Sequence, residues 1–394
     1  MSKQKQDQVR VGVVGVGSMG AAHATMIAQG DVPGATLTAV CDIDASALAG
    51  FSQVETFEQA SAMIASGVVD AVVVAVPHYA HVDLAVEALQ AGLHVLVEKP
   101  LAVTTAEAKR ILDAHEARPR AEQVFGVMFN QRTSPTYAKL RSMIRDGELG
   151  TIQRVSWIIT DWFRSEAYYR SGGWRATWAG EGGGVLVNQC PHQLDLWQWL
   201  FGMPSKVRAF AQFGADHDIE VEDRVTAYME YEDGMTGTFI ASTGEFPGSN
   251  RLEVACDRGK VVIDTSRDAG GGFRFLRTEV PVSEHNATTP ERFKGPEHWD
   301  VTIPVSGKGE QHKGICKNFV AAILAEEPLL GPGVEGIHGV ELANAMLYSA
   351  WTDQTAVLPV PADEYTRLLE ERIASSRFVK KETVRARDDM NASF

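Results

Sequence analysis

The sequence predicts an α/β protein in two parts: an N-terminal doubly wound parallel sheet of Rossmann type and a C-terminal α+β domain with a mostly antiparallel, open-faced sheet. Three observations predict it. Short apolar runs alternate with helix-like segments through the first 130 or so residues, the order that builds a parallel sheet. From about residue 150, strand-like runs follow one another directly, with turn signals such as Glu232-Asp233-Gly234 between them. The chain has 394 residues, more than one hydrophobic core usually serves. The expected division is 1–130, 131–360 and a tail, 361–394, that is amphipathic and then charged.

The first elements carry chemistry. Val11-Gly12-Val13-Val14 is an apolar strand that runs into Gly15-Val16-Gly17-Ser18-Met19-Gly20, and residues 21–27 read as a helix. This is the order strand, GxGxxG, helix that a dinucleotide site needs. Gly15 permits the tight turn, Gly17 lets backbone approach a pyrophosphate, and Gly20 allows close packing of helix on strand. Ser18 and Met19 complete the loop that leads into the helix, whose N-terminal N–H groups and positive dipole end attract phosphate. A second strand, residues 37–41, ends at Asp42. A carboxylate there accepts hydrogen bonds from ribose hydroxyls and repels a 2′-phosphate. No arginine follows it, so the cofactor expected is NAD, and residues 1–130 are its binding domain.

The alternation continues. Residues 71–76 form an apolar strand, Pro77-His78-Tyr79 a turn, and residues 80–91 a helix. Residues 94–97 form the next strand, a helix starts near Thr104-Thr105 and carries Glu107, and residues 123–128 read as a further strand. Ligands of such sheets bind beyond the carboxyl ends of the strands. That rim adds Pro77, His81, Glu98, Lys99 and Asn130 to the cofactor candidates Gly15, Gly17, Ser18, Met19, Gly20 and Asp42. Lys99 sits where a dinucleotide would present its nicotinamide.

In the second part, strands are expected over residues 152–160, 207–213, 224–230, 235–242, 251–255 and 260–264, and a helix over 185–201. That helix would place Asn188, His192 and Asp195 on one stripe. The stretch WIITDWFRSEAYYRSGGWRATW, residues 157–178, holds four of the eight tryptophans, and residues 165–173 within it look like a loop. Aromatic faces stack on sugars and arginines bind hydroxyls or anions, so Arg164, Tyr168, Tyr169, Arg170, Trp174 and Arg175 are candidate substrate contacts. An oligomer interface has the same composition. If the stretch is the pocket, its arginines suggest a sugar bearing a carboxylate, sulfonate or phosphate. His217, Glu220, Glu222 and Asp223, in HDIEVED, are expected in a solvated loop.

The motifs taken together resemble the Gfo/Idh/MocA family of NAD(P)-dependent sugar and polyol oxidoreductases. They are the GxGxxG segment, Val76-Pro77 with His81, Glu98-Lys99-Pro100, and the run from Gly182-Gly183-Gly184 through Asn188 and His192 to Asp195. The resemblance covers roughly residues 9 to 355. It implies that Lys99 and His192 are catalytic, near nicotinamide and the reacting hydroxyl. It also implies a second domain that binds substrate and whose sheet often forms the oligomer interface, hence a homodimer or homotetramer. Asn188 departs from the family pattern, which has aspartate there. An amide bonds to sugar hydroxyls but takes no proton at neutral pH. Proton transfer then falls to His192 and Lys99.

The expected function is hydride transfer from a ring hydroxyl of a pyranose or glycoside, at C3 by analogy with glycoside-oxidising relatives. An alternative is an NAD-dependent glycosidase that oxidises, eliminates, hydrates and re-reduces, acting on a glycoside of an acidic sugar such as a sulfoquinovoside or uronide. It needs a further base, from Tyr168, Tyr169, Asp161 or His81. A non-enzymatic NAD sensor is disfavoured because Lys99 and His192 are both present.

A net charge of −14 argues against a nucleic-acid or anionic-membrane surface, which would need a basic stripe. The N-terminal MSKQKQDQ has no apolar run, so no signal peptide is expected and the location expected is cytoplasmic. Cys41, Cys190, Cys256 and Cys316 lack CxxC spacing and are expected as reduced thiols. The acids and histidines fit no common metal pattern, so no metal is expected.

Overall fold

The computed structural model describes residues 7–266 and 272–379. The charged end of the expected tail lies outside the described residues. Six strands form the first sheet: β1 Val9–Val14, β2 Ala35–Cys41, β3 Glu55–Phe57, β4 Ala71–Val74, β5 His94–Val97 and β6 Phe125–Val127. Their order is β3-β2-β1-β4-β5-β6 and every pairing is parallel. The order reverses between β1 and β4, which opens a crevice beyond their carboxyl ends. Strands β4 and β5 are buried along their whole length, as expected of β-branched runs covered on both faces.

Helices cover both faces. On one side Ala85, Ala88, Leu89, Ala108 and Ile111, from helices Ala80–Gln90 and Thr105–Glu116, pack on Val72, Val74, Val95 and Val97. The second of these helices starts with a capping box, Thr104 with Glu107. On the other side Ala24 and Ile27 of helix Ser18–Ala28 share a core with Ile315, Cys316, Phe319 and Val320. Those four belong to helix Gln311–Ala325, so a segment late in the chain returns to cover the first sheet.

The second sheet has nine strands: β7 Ile152–Ile159, β8 Lys206–Phe213, β9 Glu222–Glu230, β10 Thr236–Ser242, β11 Asn250–Cys256, β12 Gly259–Asp264, β13 Gly272–Thr278, β14 His298–Thr302 and β15 Ala356–Val357. Their order is β14-β13-β12-β11-β7-β10-β9-β8-β15, antiparallel except for β7 with β10. Strand β9 alternates buried and exposed residues, which puts Tyr228 on the open face and Val225, Ala227 and Met229 in the core. Trp157 of β7 and Trp197 stack at 6.5 Å in that core. Helix Gly336–Thr352 supplies Leu342, Met346 and Leu347 to it, and helix Ala362–Ser375 supplies Tyr365 and Leu369.

Several expectations are corrected. Residues 185–201 are not one helix. A π-helical turn, Val185–Gln189, precedes helix Pro191–Phe201, with Pro191 at the first turn where its missing N–H costs nothing. The π turn holds Asn188 and so shifts its register relative to the helix that carries both His192 and Asp195; Asp195 pairs with Arg132. The expected loop at 165–173 contains a short helix, Glu166–Arg170, with Ser165 accepting from the Tyr168 N–H. Strands β3, β13, β14 and β15 were not expected. β3 and β15 are short and all five residues of β14 are exposed, so their alternating signal is weak; β13 does alternate, with Phe273 and Phe275 buried. The solvated loop expected at HDIEVED is also wrong, because His217, Glu222 and Asp223 are buried.

Candidate active site

The GxGxxG loop sits at the carboxyl end of β1. Gly15 has φ +84°, and a Cβ there would lie 2.5 Å from the Ala75 carbonyl oxygen. A Cβ on Gly20 would lie 1.7 Å from the Gly15 carbonyl oxygen. A Cβ on Gly17 would meet nothing within 4 Å, so this glycine faces open space. Helix Ser18–Ala28 follows with Gly17 at its N-cap, no side-chain cap and no acid in its first turn. Its N–H groups are therefore offered to an anion. Asp42 accepts from the Val16 N–H at 2.8 Å and the Asp44 N–H at 2.9 Å, which fixes the acid beside the loop. Ile43, next to it, is 94% exposed and gives an apolar surface at the same rim. Loop, helix end and acid fit the phosphates and ribose of NAD.

Glu98 and Lys99 leave the end of β5. Glu98 is buried; its Oε1 lies 2.7 Å from Nε2 of buried His23, and its Oε2 accepts the Lys99 backbone N–H at 3.2 Å. Burial opposes both charges; for Glu98 the bond to His23 outweighs it, and for His23 the bond to Cys316 and then that to Glu98 do. Glu98 is lowered to about 2 and His23, also held by Cys316, is raised to about 10. The Lys99 Nζ donates to the Asn188 backbone oxygen at 2.9 Å. Burial lowers the Lys99 ammonium to about 8, with Glu98 opposing and Arg175 and Arg164 assisting.

His192 is buried at the start of helix Pro191–Phe201, stacked on Trp162 at 6.3 Å. Burial, then the charges of Lys99 and His312, hold it well below the usual imidazole range. Its Nδ1 is buried with no hydrogen-bond partner among the described residues, which leaves it bonding capacity to offer. Asn188 donates from Nδ2 to Glu181 and, at 3.3 Å, to the Tyr168 hydroxyl. The same hydroxyl accepts from Gln189 Nε2 at 3.1 Å and Arg175 at 2.7 Å.

Arg164 lies 5.0 Å from the Tyr168 ring and 5.3 Å from Trp162. Arg175 lies 4.6 Å from both Tyr168 and Trp174. The structure thus gathers Lys99, His192, Asn188, Tyr168, Arg164, Arg175 and Trp174. Other candidates lie elsewhere. Arg170 is exposed and pairs with Glu166 at 3.6 Å. Tyr169 is buried, its hydroxyl 2.8 Å from Thr243. Asn130 is fully buried and donates to Gln311. His81 places its ring nitrogens 2.8 Å from the Pro100 and Val76 carbonyl oxygens, so it ties two strand-end loops together, while Pro77 is exposed.

Trp162, Gln189, Glu181, His78 and His23 were not singled out in the sequence. His78 rests edge-on to Trp174 at 5.1 Å and bonds the Glu181 carbonyl oxygen. A signal for Glu181 was its place directly before Gly182-Gly183-Gly184. The HDIEVED acids support the site from behind. Glu222 accepts from the Gly184 and Leu186 N–H groups at 2.8 and 3.1 Å and so staples the π-helical turn; burial raises it to about 7. Asp223 accepts from the Ala215 and Asp216 N–H groups and bonds His217. Glu220 accepts from the Trp178 N–H.

Comparison with known proteins matches residues 9–125 to the NAD-binding Rossmann domain of an oxidoreductase family and residues 137–262 to the GFO/IDH/MocA C-terminal domain. The rhizopine catabolism protein MocA of Rhizobium meliloti is 34% identical over 49% of this chain and 57% of its own length. An inositol 2-dehydrogenase of Corynebacterium glutamicum is 30% identical over 49% of this chain and 54% of its own. The matched part of the chain thus spans about half the length of these curated relatives. Among solved structures, the WlbA dehydrogenase of Bordetella pertussis, in complex with NADH and UDP-GlcNAcA, has a TM-score of 0.74 at 26% identity, covering 90% of this chain and 99% of that one.

Proposed function

Because the chain belongs to the Gfo/Idh/MocA family, we propose that it is an NAD-dependent oxidoreductase acting on a ring hydroxyl, C3 by analogy, of a pyranose sugar or glycoside. The observation that carries this reading is half-buried Lys99, at the strand-end rim that also carries the dinucleotide loop, with buried His192 close enough to feel its charge. When bound, NAD supplies the acceptor for the hydride leaving the carbinol carbon. Lys99 in its neutral form takes the hydroxyl proton, because a group lowered to about 8 can do so near neutral pH while an ordinary lysine cannot. His192 stays neutral and bonds the same hydroxyl through its unpartnered nitrogen. Asn188 and Tyr168 orient the ring, and Trp162 and Trp174 supply flat apolar faces.

Glu98 positions Lys99, and Arg132 holds the helix bearing His192 through Asp195, to which it donates at 2.8 and 2.6 Å. The outward face of the second sheet, with exposed Phe210 and Tyr228, is the surface we assign to self-association. The redox glycosidase is the second reading. Of its four candidate bases, Tyr168 is the one whose hydroxyl three donors surround, within the gathered cluster. The test mixes protein and NAD with neutral and acidic nitrophenyl glycosides and follows NADH and nitrophenol together. Lasting NADH without nitrophenol supports the dehydrogenase. Nitrophenol without lasting NADH overturns it in favour of the glycosidase.

A further inference from the structure

We infer that His23 is a positioning residue for the proton acceptor: through Glu98 it ties the helix that follows the dinucleotide loop to Lys99, and its charge balances that of Glu98. The inference rests on the reading of Lys99 as the group that takes the hydroxyl proton.

Three segments converge beside Lys99. Helix Ser18–Ala28 brings His23, whose Nε2 donates to Glu98 Oε1 at 2.7 Å; the two side chains are 1% and 7% exposed. The end of β5 brings Glu98, whose Oε2 accepts the Lys99 backbone N–H at 3.2 Å. Helix Gln311–Ala325 brings His312, edge-on to the His23 ring at 5.7 Å, and, one turn further along, buried Cys316, which bonds His23. A carboxylate at Glu98 favours the protonated form of Lys99. His23 is the cation bonded to that carboxylate, so it weakens the hold of Glu98 on the Lys99 proton.

The other groups around Lys99 leave this part to His23. His78, just before helix Ala80–Gln90, His81 within it, His192 of helix Pro191–Phe201 and His312 are all held by burial below the ordinary imidazole value, so they are neutral at pH 7 and above. Arg164, Arg175 and Glu181 act directly on Lys99. Burial opposes the charge of His23, but its bonds to Cys316 and Glu98 raise it to about 10. It therefore stays charged while Lys99, lowered by burial to about 8, gives up its proton.

The test is the pH dependence of kcat/KM at saturating NAD, with the nitrophenyl glycoside turned over fastest. His23→Gln still donates to Glu98 but carries no charge. Its ascending limb is expected to move up by about half a pH unit or more, which lowers kcat/KM at neutral pH about threefold or more. His23→Lys, which keeps a charge, is expected to leave the limb near the parental position. Added to Glu98→Gln, His23→Gln is expected to move the limb upward no longer, because the carboxylate is gone. NAD affinity is expected to stay within about threefold throughout. A rate lowered equally at every pH with the limb unmoved is what a merely structural role gives, and it overturns the inference. So does an upward shift of the same size in the double variant. If melting shows His23→Gln unfolded, spectra of ring-labelled histidine in the parent and in Glu98→Gln decide. An imidazolium that persists in the parent near pH 9 and titrates lower in Glu98→Gln is expected; its absence from the parent, or its indifference to Glu98→Gln, overturns the inference. A parental profile with no ascending limb sinks the Lys99 reading itself. A parental limb that His23→Gln leaves in place sinks this inference alone.

Discussion

The buried pair between His23 and Glu98 allows one perturbation to be worked through. Glu98→Gln keeps the shape and the ability to accept hydrogen bonds, but removes the charge opposite His23 at 2.7 Å. Breaking a buried pair from one side costs about 3–5 kcal/mol. The two shifts share the His23–Glu98 interaction, and that of His23 also includes Cys316, so they are not summed. The pH dependence follows from their directions. Glu98 lies at about 2, below its ordinary 4.5, so its contribution is full above 4.5 and is lost as pH falls towards 2. His23 lies at about 10, above its ordinary 6.5, so its contribution is full below 6.5 and is lost as pH rises towards 10. The pair therefore stabilises most between pH 4.5 and 6.5. Urea denaturation of both proteins across pH 4–9 is the assay, with the stability difference expected to be largest in that window and to shrink above it. A difference below about 1 kcal/mol, or one independent of pH, would refute the reasoning.

Two further predictions concern the cofactor loop and the proton. Gly17→Ala, whose methyl meets open space, is expected to melt close to the parent yet to lose about tenfold or more in NAD affinity, whereas Gly20→Ala is expected to destabilise the fold itself; calorimetry with and without NAD separates the two. The kcat/KM for oxidation is expected to rise with pH to a plateau above about 8, as Lys99 loses its proton, and Glu98→Gln is expected to move that limb to lower pH because a charge that favours protonated Lys99 is gone. A pH–rate profile with no limb in this region would contradict the role given to Lys99.

Much of this architecture was legible because local chemistry and tertiary role coincide. The strand, GxGxxG, helix and Asp42 lie within one short segment, each with its own physical requirement, and Lys99 follows a strand whose apolar run marks where the rim must be. Legibility failed where distant residues decide. Asn188, His192 and Asp195 read as one helical stripe, but the π-helical turn sets Asn188 in a different register from the other two, and Arg132, remote in sequence, takes Asp195. HDIEVED reads as solvated because four acids in a row of seven are normally exposed; the N–H groups of Gly184 and Leu186 that bond Glu222 are nearly forty positions away. Arg164, Arg170 and Arg175 look alike in sequence, and the short helix Glu166–Arg170 sends one of them outward. His23 gave no signal beyond its place in the first helix, because its partner is the acid of Glu98-Lys99-Pro100.

The most direct test of the central claim is the rate of NADH formation by Lys99→Ala on the best sugar of the panel, with NAD affinity measured on the same sample. Removing a positioned base is expected to lower kcat by about 10²–10⁴-fold while NAD affinity changes by no more than about threefold. A variant that turns over at the parental rate, with NAD bound as before, would contradict the assignment of Lys99 as the group that takes the proton.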